Sequence, residues 1–432
     1  EELALRAWKD DHTFEEIIDM MTRATAPNVI GHNTAKKTLI LQSIGGYANL
    51  ADNKRKFVHV LFIGDPGAAK TELKKFALTM HPASKEATGA RTSIVGLIGG
   101  KSENQRLLGS STTTLSPGLL ALIPDGAIAA IDELHALGDP RIFSMLNDAM
   151  ESGIVSVQMQ MKGTIRTPTP VLGLANPMNG DNTKFDMTSG SESLAKQSGL
   201  PVSFLSRFDV ILVFLDRVEE ERDRAIIEGM LNSVNNSLNN PYEVFPIEGG
   251  YNKYLQLCRD VTPHAQPLSD EAVKKIAEIF VKARQNVDGD GASVNFRWGA
   301  ALTRLSQAAA RLDLSNQVEP KHVDFAYSVI AESLTTTEPD MVVEGGTGFG
   351  KKQNERYEKV IAMLEPWTHQ HGAEKGLRSS FYAYVKENWD IEDPANPDVP
   401  SSIEIGGILD RAKTAKQPVV KTTHETVEYL LV

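Results

Sequence analysis

Eight consecutive residues, Gly64-Asp65-Pro66-Gly67-Ala68-Ala69-Lys70-Thr71, have the types and spacing to hold the phosphates of a nucleotide. The two glycines let backbone N–H groups turn inward on phosphate oxygens. Lys70 would reach the β- and γ-phosphates of ATP, and the Thr71 hydroxyl would ligate Mg²⁺. A second stretch, Ala127-Ile-Ala-Ala-Ile131-Asp132-Glu133, ends an apolar run in two acids. Asp132 would hold Mg²⁺ through water, and Glu133 would polarise the attacking water as general base. An apolar strand ending in an acid is common in isolation; downstream of a phosphate loop it points to nucleotide hydrolysis. Asn176, after the apolar run Val171–Ala175, can orient the same water, although Asn-Pro read alone is a turn.

These residues need elements that deliver them. Val58–Ile63 is rich in β-branched and aromatic types and reads as a buried strand leading into the phosphate loop, with a helix from Thr71 to Met80 beyond it. The positive end of that helix dipole faces the loop. Strands and helices alternate as far as Val210–Leu215, which predicts an α/β fold with a parallel sheet covered on both faces. Arg91–Gly100 reads as a strand with a turn, Gly109–Thr114 as a hairpin tip, and Asn179–Gly199 as a loop. Val155–Met161 alternates strictly, turns at Lys162-Gly163 and returns through Arg166, a hairpin with a basic tip or an ordinary surface hairpin. From Glu219 the pattern is helical and predicts a lid. The expected division is a helical lead-in over 1–25, an ATPase core over 26–240, a helical lid over 241–338, a glycine-rich linker over 339–352, and a winged-helix-like domain over 353–432. In the last of these, helices are expected at Glu355–Met363, Ser379–Glu387 and Ile403–Lys413, followed by a terminal hairpin.

Composition narrows the class. No apolar run approaches the length of a membrane span and no signal-peptide pattern is present. The single cysteine, Cys258, excludes a disulfide framework. A net charge of −11 argues against a broad nucleic-acid surface, but leaves room for a few basic residues inside a channel. His369-Gln-His371 reads as a surface pair rather than a metal site. The opening Glu-Glu-Leu, without methionine, suggests a piece of a longer protein.

Four stretches together resemble the minichromosome maintenance (MCM) replicative helicases of the AAA+ class. They are Ala26-Pro-Asn-Val-Ile-Gly-His32, the phosphate loop with Asp65-Pro66 after its first glycine, Ile131-Asp-Glu-Leu134, and Leu205-Ser-Arg-Phe-Asp209. The similarity runs from about residue 10 to 335. It implies a ring, usually a hexamer, with ATP and Mg²⁺ sandwiched between subunits and one DNA strand in a central channel. Arg207 would be a finger reaching a neighbour's γ-phosphate; read alone it is equally a surface ion-pair arginine. Arg297 takes the place of a second arginine that acts across the interface, and Asn176 that of the sensor residue. The Val155–Ile165 hairpin and Lys101–Leu120 resemble the family's channel elements, making Lys162, Arg166 and Lys101 the candidate DNA contacts.

There are departures. His135 stands where the family usually carries a second acid, and Lys162 lies farther along its hairpin than the family's lysine. Thr92–Gly100 lacks the usual basic, serine-rich character, and none of this chain's residues is expected to form the family's N-terminal oligonucleotide-binding domain. The leading expectation is a DNA helicase motor; the alternative is a paralogue using ATP to glue interfaces, acting as a scaffold or DNA-binding platform. A magnesium-chelatase-like machine is a third reading, disfavoured by Ser206-Arg207-Phe208-Asp209. Short insertions lean towards an archaeal or mobile-element source. The location would be the nucleoid if archaeal and the nucleus if eukaryotic, with other replication proteins as possible partners of the winged helix.

Overall fold

The computed structural model describes residues 1–47, 55–105, 111–124, 126–137, 139–158, 162–178, 194–215, 224, 227, 240–264, 267–285, 296–336, 360, 363, 367, 375–388, 420–422 and 426–429. They fall into two compact units, of which the first holds the sheet and the helices before Thr337 and the second lies chiefly in Glu338–Val432.

A five-stranded sheet forms the centre of the first unit. Its strands are β1 (Val60–Gly64), β2 (Lys85–Thr88), β5 (Ala129–Asp132), β8 (Val171–Ala175) and β9 (Val210–Phe214), in the order β2-β5-β8-β1-β9. All neighbours pair in parallel, with Val60 opposite both Leu172 and Val210. Every residue of β1 and β8 is buried, which is why these segments read as unbroken apolar runs rather than alternating ones. All five strands therefore point the same way, and the residues following them gather at one end of the sheet.

Helices α1 (Glu2–Asp10), α2 (Phe14–Ala24), α3 (Asn33–Ile44) and α4 (Lys70–Thr79) precede or cover the sheet. Thr13 and Glu16 start α2 with a reciprocal capping box. The lead-in is tied to the later helices α10 (Gly250–Asp260), α11 (Asp270–Gln285), α12 (Phe296–Leu312) and α13 (Pro320–Thr336). Trp8 packs against Phe245 and edge-on against Tyr254, and the Thr25 hydroxyl lies 2.7 Å from that of Tyr251. Buried Arg311 donates to the carbonyls of Ile44, Gly45 and Gly46, where α3 ends, and to that of Cys258 in the last turn of α10. Carbonyls at helix ends lack partners within their own helix, and one guanidinium supplies several.

Asp313, just past α12, joins the lead-in to the lid. Its buried carboxylate accepts from Lys321 at 2.6 Å and from His322 Nε2 at 3.1 Å, with Lys9 at 3.3 Å. His322 Nδ1 accepts from the Glu319 amide, so its proton sits on Nε2, facing Asp313. Burial alone would raise this acid, but the bonds from His322 and Lys321 and the charge of Lys9 outweigh that and hold it down at about 2. A depressed carboxylate contributes stability above its unfolded value and loses it as pH falls towards the folded one. Asp313→Asn should therefore cost about 3 kcal/mol at neutral pH, with a loss of melting temperature that shrinks as pH is lowered from 5 towards 2. Thermal unfolding of parent and variant across that range checks this.

The elements between the strands depart from the sequence reading. Arg91–Gly100 is not a strand with a turn: a 3₁₀ turn at Gly89–Arg91 leads to a short helix, α5 (Ile94–Leu97), capped by the Ser93 hydroxyl. Strands β3 (Gly99–Gln105) and β4 (Ser111–Pro117) then form a hairpin, so Ser111–Thr114 belong to a strand and not to its tip. A helix α6 (Leu119–Leu122) follows, and α7 (Pro140–Ser152) comes after β5 with Asp139 as its cap and Pro140 in its first turn. In the next hairpin β6 (Ile154–Gln158) covers the described part of Val155–Met161, whose residues 159–161 lie outside the described residues, and Lys162 opens β7 (Lys162–Arg166) opposite Gln158 instead of forming the turn. Part of the expected loop Asn179–Gly199 is helical, as α8 (Leu194–Ser198), and α9 (Val202–Leu205) precedes β9. The linker over 339–352 and the expected helix Ile403–Lys413 lie outside the described residues.

In the second unit, strands β10 (Lys375–Leu377), β11 (Val420–Thr422) and β12 (Thr426–Tyr429) form an antiparallel sheet with β12 in the middle. Helix α14 (Arg378–Asn388) follows β10 directly, and its Phe381 packs edge-on against buried Trp367, ring centroids 5.3 Å apart. The sequence reading lacked β10, whose three residues Lys-Gly-Leu carry no strand pattern.

Candidate nucleotide site

The phosphate loop leaves the C-terminal end of β1. A Cβ on Gly64 would stand 2.0 Å from the Phe214 carbonyl oxygen, so the close passage of β9 requires glycine there. Gly67 (φ +81°) and Ala69 (φ +61°) both adopt left-handed backbone, and nothing lies within 4 Å of where a Gly67 Cβ would be. The loop thus bends around open space before α4 begins at Lys70. Pro66 and Ala68 are half-buried and Asp65 is buried, its amide anchored on the Phe214 carbonyl at 2.8 Å. Lys70 Nζ donates to the carbonyls of Gly64 (2.8 Å) and Asp65 (2.6 Å). Burial pulls its ammonium down to about 8, with Asp65 and Asp132 acting in the opposite sense. An incoming polyphosphate would supply the negative charge that this buried cation lacks. Thr71 is exposed in the first turn of α4.

Asp132 ends β5 and Glu133 follows it, two strands from β1 across β8. Both carboxylate oxygens of Asp132 are engaged: Oδ1 accepts from the Glu133 amide at 2.9 Å and Oδ2 from Lys74 Nζ at 2.6 Å. Glu133 stands in left-handed backbone at φ +52°, a conformation that costs free energy in a non-glycine residue and occurs often at functional sites. Gly89 makes that turn possible, since a Cβ there would meet the Glu133 carbonyl oxygen at 2.2 Å and the Leu137 nitrogen at 3.3 Å. Asn176 follows β8, and its backbone N–H donates to His135 Nδ1 at 3.4 Å, tying the turn after β5 to the end of β8. Burial lowers the pKa of His135, opposed by the charges of Glu133 and Asp132. Thr71 and Asp132 offer a hydroxyl and a carboxylate of the kind a hard divalent cation takes, so the donor set fits Mg²⁺. Gly89→Ala should displace Glu133 and cut nucleotide turnover by about 10²-fold while the phosphate loop still binds nucleotide. Steady-state rates beside a fluorescent-nucleotide titration check this.

Arg207 and Arg297 belong to the opposite end of the sheet. Arg207 precedes β9, whereas Lys70 follows β1, and these parallel neighbours are five residues long. That separates the two by about 15 Å of strand. Arg297, at the start of α12, donates to the Ser206 hydroxyl at 3.0 Å, and Arg207 and Arg297 both face the half-exposed Glu151. Burial and the nearby charge of Arg297 lower the pKa of Arg207, with Asp148 acting against them. The structure thus brings together two arginines 90 residues apart in sequence, and neither joins Lys70 and Asp132 within one chain.

Beneath them lies a cluster absent from the sequence reading. Buried Asp209 accepts from Arg304 (2.5 Å), Arg55 (2.9 Å) and the His59 amide (2.8 Å). Burial raises the Asp209 carboxyl, but Arg304 and Arg55 more than reverse this and keep it ionised. Arg55 also donates to the carbonyls of Arg207 and Met150. His59, buried and held neutral by burial, accepts from the Val171 amide and donates to the Met150 carbonyl. Asp209 was legible only as the last letter of a motif; its partners come from distant segments.

The candidate DNA contacts sit on two hairpins. Lys101 is in β3, opposite Leu115, and Lys162 opens β7. Arg166 is exposed at the root of its hairpin, opposite Ile154, so it is not part of a basic tip. The hairpins touch at their bases, where a Cβ on Gly99 would meet Ile165 Cδ1 at 2.7 Å. Among the described residues no group of three or more His, Cys, Asp or Glu could hold a metal ion, and no helix is long and apolar enough to cross a membrane. His369 and His371 lie outside the described residues.

The profile of the MCM P-loop domain matches residues 6–234, and that of the MCM AAA-lid domain matches residues 251–334. Similar curated proteins include the DNA replication licensing factor MCM4 of Oryza sativa subsp. japonica, 27% identical over 368 residues, covering 80% of this chain and 40% of that protein. Drosophila melanogaster MCM4 is 29% identical over 333 residues, covering 75% and 37%, and its Mcm6 is 27% identical over 350 residues, covering 79% and 40%. The chain spans about two fifths of the length of these relatives.

Proposed function

The chain belongs to the MCM family, which implies nucleotide binding with a metal, and from that premise we propose that it is an ATP-dependent DNA helicase motor. ATP is hydrolysed at the interfaces of a ring, a hexamer by family resemblance, and the work moves the ring along one DNA strand. The observation that carries this reading is the division of the catalytic set between the two ends of one sheet. Gly64–Thr71, Asp132, Glu133 and Asn176 serve the chain's own nucleotide; Arg207 and Arg297 serve a neighbour's. Lys70 binds the phosphates, Glu133 takes a proton from the attacking water that Asn176 orients, and Thr71 and Asp132 hold the metal. Mg²⁺, when bound, neutralises charge on the phosphate oxygens. Lys162 and Lys101 grip DNA phosphates through their charge, with Arg166 supporting from the root.

The three-stranded sheet of the second unit, with α14 directly after its first strand, supports a winged helix, which we assign to docking of DNA or of other replication proteins. The relatives named above are eukaryotic replication licensing factors, and by that likeness the motor acts in replication, in the nucleus if its host is a eukaryote. The second reading, a scaffold that uses ATP to hold subunits together, draws on the Lys74 ammonium resting on Asp132.

ATP turnover per subunit, measured over a protein concentration series with and without single-stranded DNA, tests the proposal. Turnover that climbs with concentration and rises further with DNA is the expected result. Nucleotide binding without turnover at any concentration favours the scaffold.

A further inference from the structure

Lys74 has no part in the reaction outlined above, yet it touches a residue that does. It lies one turn beyond Lys70 on α4 and faces β5. Its side chain is only 9% exposed, and its ammonium bridges Asp132 Oδ2 at 2.6 Å and Glu86 at 3.3 Å. A cation this buried requires a carboxylate partner, and here it has two of different character. Asp132 is mostly covered and has its second oxygen taken by the Glu133 amide; Glu86, on β2 next to β5, is 55% exposed. Asp132 is also the carboxylate assigned to Mg²⁺ above.

We propose that Lys74 is a resident counter-cation of Asp132 that competes with Mg²⁺, and that Glu86 is the berth to which its ammonium withdraws when the metal is held. This rests on the nucleotide-site reading. Two positive charges on one carboxylate repel, and at a lysine side chain only 9% exposed that repulsion is less screened than in bulk water. The metal therefore binds against the ammonium, and its affinity depends on how readily Lys74 exchanges Asp132 for Glu86. The glutamate is within reach, so the exchange leaves the lysine paired at every stage. Removing the ammonium should tighten metal binding, and removing the berth should loosen it.

The test is the Mg²⁺ concentration that half-saturates binding of a fluorescent, non-hydrolysable ATP analogue to the full 432-residue chain, with a chelated baseline. Lys74→Met should lower it about tenfold or more, and Glu86→Gln should raise it about threefold or more, with melting temperatures recorded for each. Opposite shifts separate this role from a structural one, which would move both variants the same way or neither. A Lys74→Met value within twofold of the parent, or a higher one, overturns the proposal. Should Lys74→Met fail to fold, an unchanged half-saturation in the surface variant Glu86→Gln overturns it alone. If the parent binds nucleotide and only Lys74→Met does not, Lys74 is a nucleotide ligand and the proposal is wrong. If the parent binds no nucleotide, the ATPase reading falls and takes this inference with it.

Discussion

Arg207→Ala should lower ATP turnover about 10³-fold or more while the variant's own affinity for nucleotide stays within a few-fold of the parent. The two halves of that expectation come from one geometric fact. Arg207 lies before β9 and Lys70 after β1, at opposite ends of adjacent parallel strands, so deleting the arginine leaves its own chain's phosphate loop untouched. On the proposed function, what would disappear is the positive charge offered to the next subunit's γ-phosphate as the bond breaks. Mixing experiments make the distinction sharp. Arg207→Ala and Lys70→Ala should each be inactive alone, yet in mixed rings about a quarter of the interfaces pair an intact loop with an intact arginine. Recovery of turnover on mixing is the expected result; a mixture as inactive as its components would mean that Arg207 acts within its own chain. Glu151 sets a control, since both arginines face it in the isolated chain, and Glu151→Gln should leave nucleotide affinity unchanged.

The second large effect is expected at Glu133. Glu133→Gln should cut the rate constant for hydrolysis about 10²- to 10⁴-fold with ATP binding retained, because the amide keeps the shape and loses the ability to take a proton. The local structure makes this substitution cleaner than most. The left-handed turn at Glu133 is maintained by the Gly89 contact and by the short 3₁₀ segment Leu134–Ala136, neither of which involves the carboxylate. Glutamine should therefore fold as glutamate does. A single-turnover measurement separates slow chemistry from slow product release, and a Glu133→Gln chain that hydrolyses ATP within tenfold of the parent would assign the base elsewhere.

The phosphate loop was legible because its chemistry is local: eight contiguous residues hold both the bend and the groups that use it. The same holds for Asp132-Glu133, where the strand and the acids at its end are adjacent. What the sequence hid is pairing at a distance. Lys74 is an unremarkable member of a Lys-Lys pair until its partner 58 residues away is known. Asp209 draws Arg55 and Arg304 from 154 and 95 residues away, and no spacing rule links them. Gly89 gave no turn signal because its need for a missing side chain comes from Glu133, in the turn after β5. Ser111–Thr114 and Lys162 read as turn residues because small, polar and glycine-flanked types resemble a tip, whereas the structure pairs them in strands.

The joining of the lead-in helices to the lid bears on how the chain is made. Trp8 finds Phe245 and Tyr254, and Lys9 finds Asp313, so α1 waits for roughly three hundred more residues of synthesis before its final neighbours exist. Its apolar face stays uncovered through most of that synthesis, a window in which chaperones rather than native contacts must shield it.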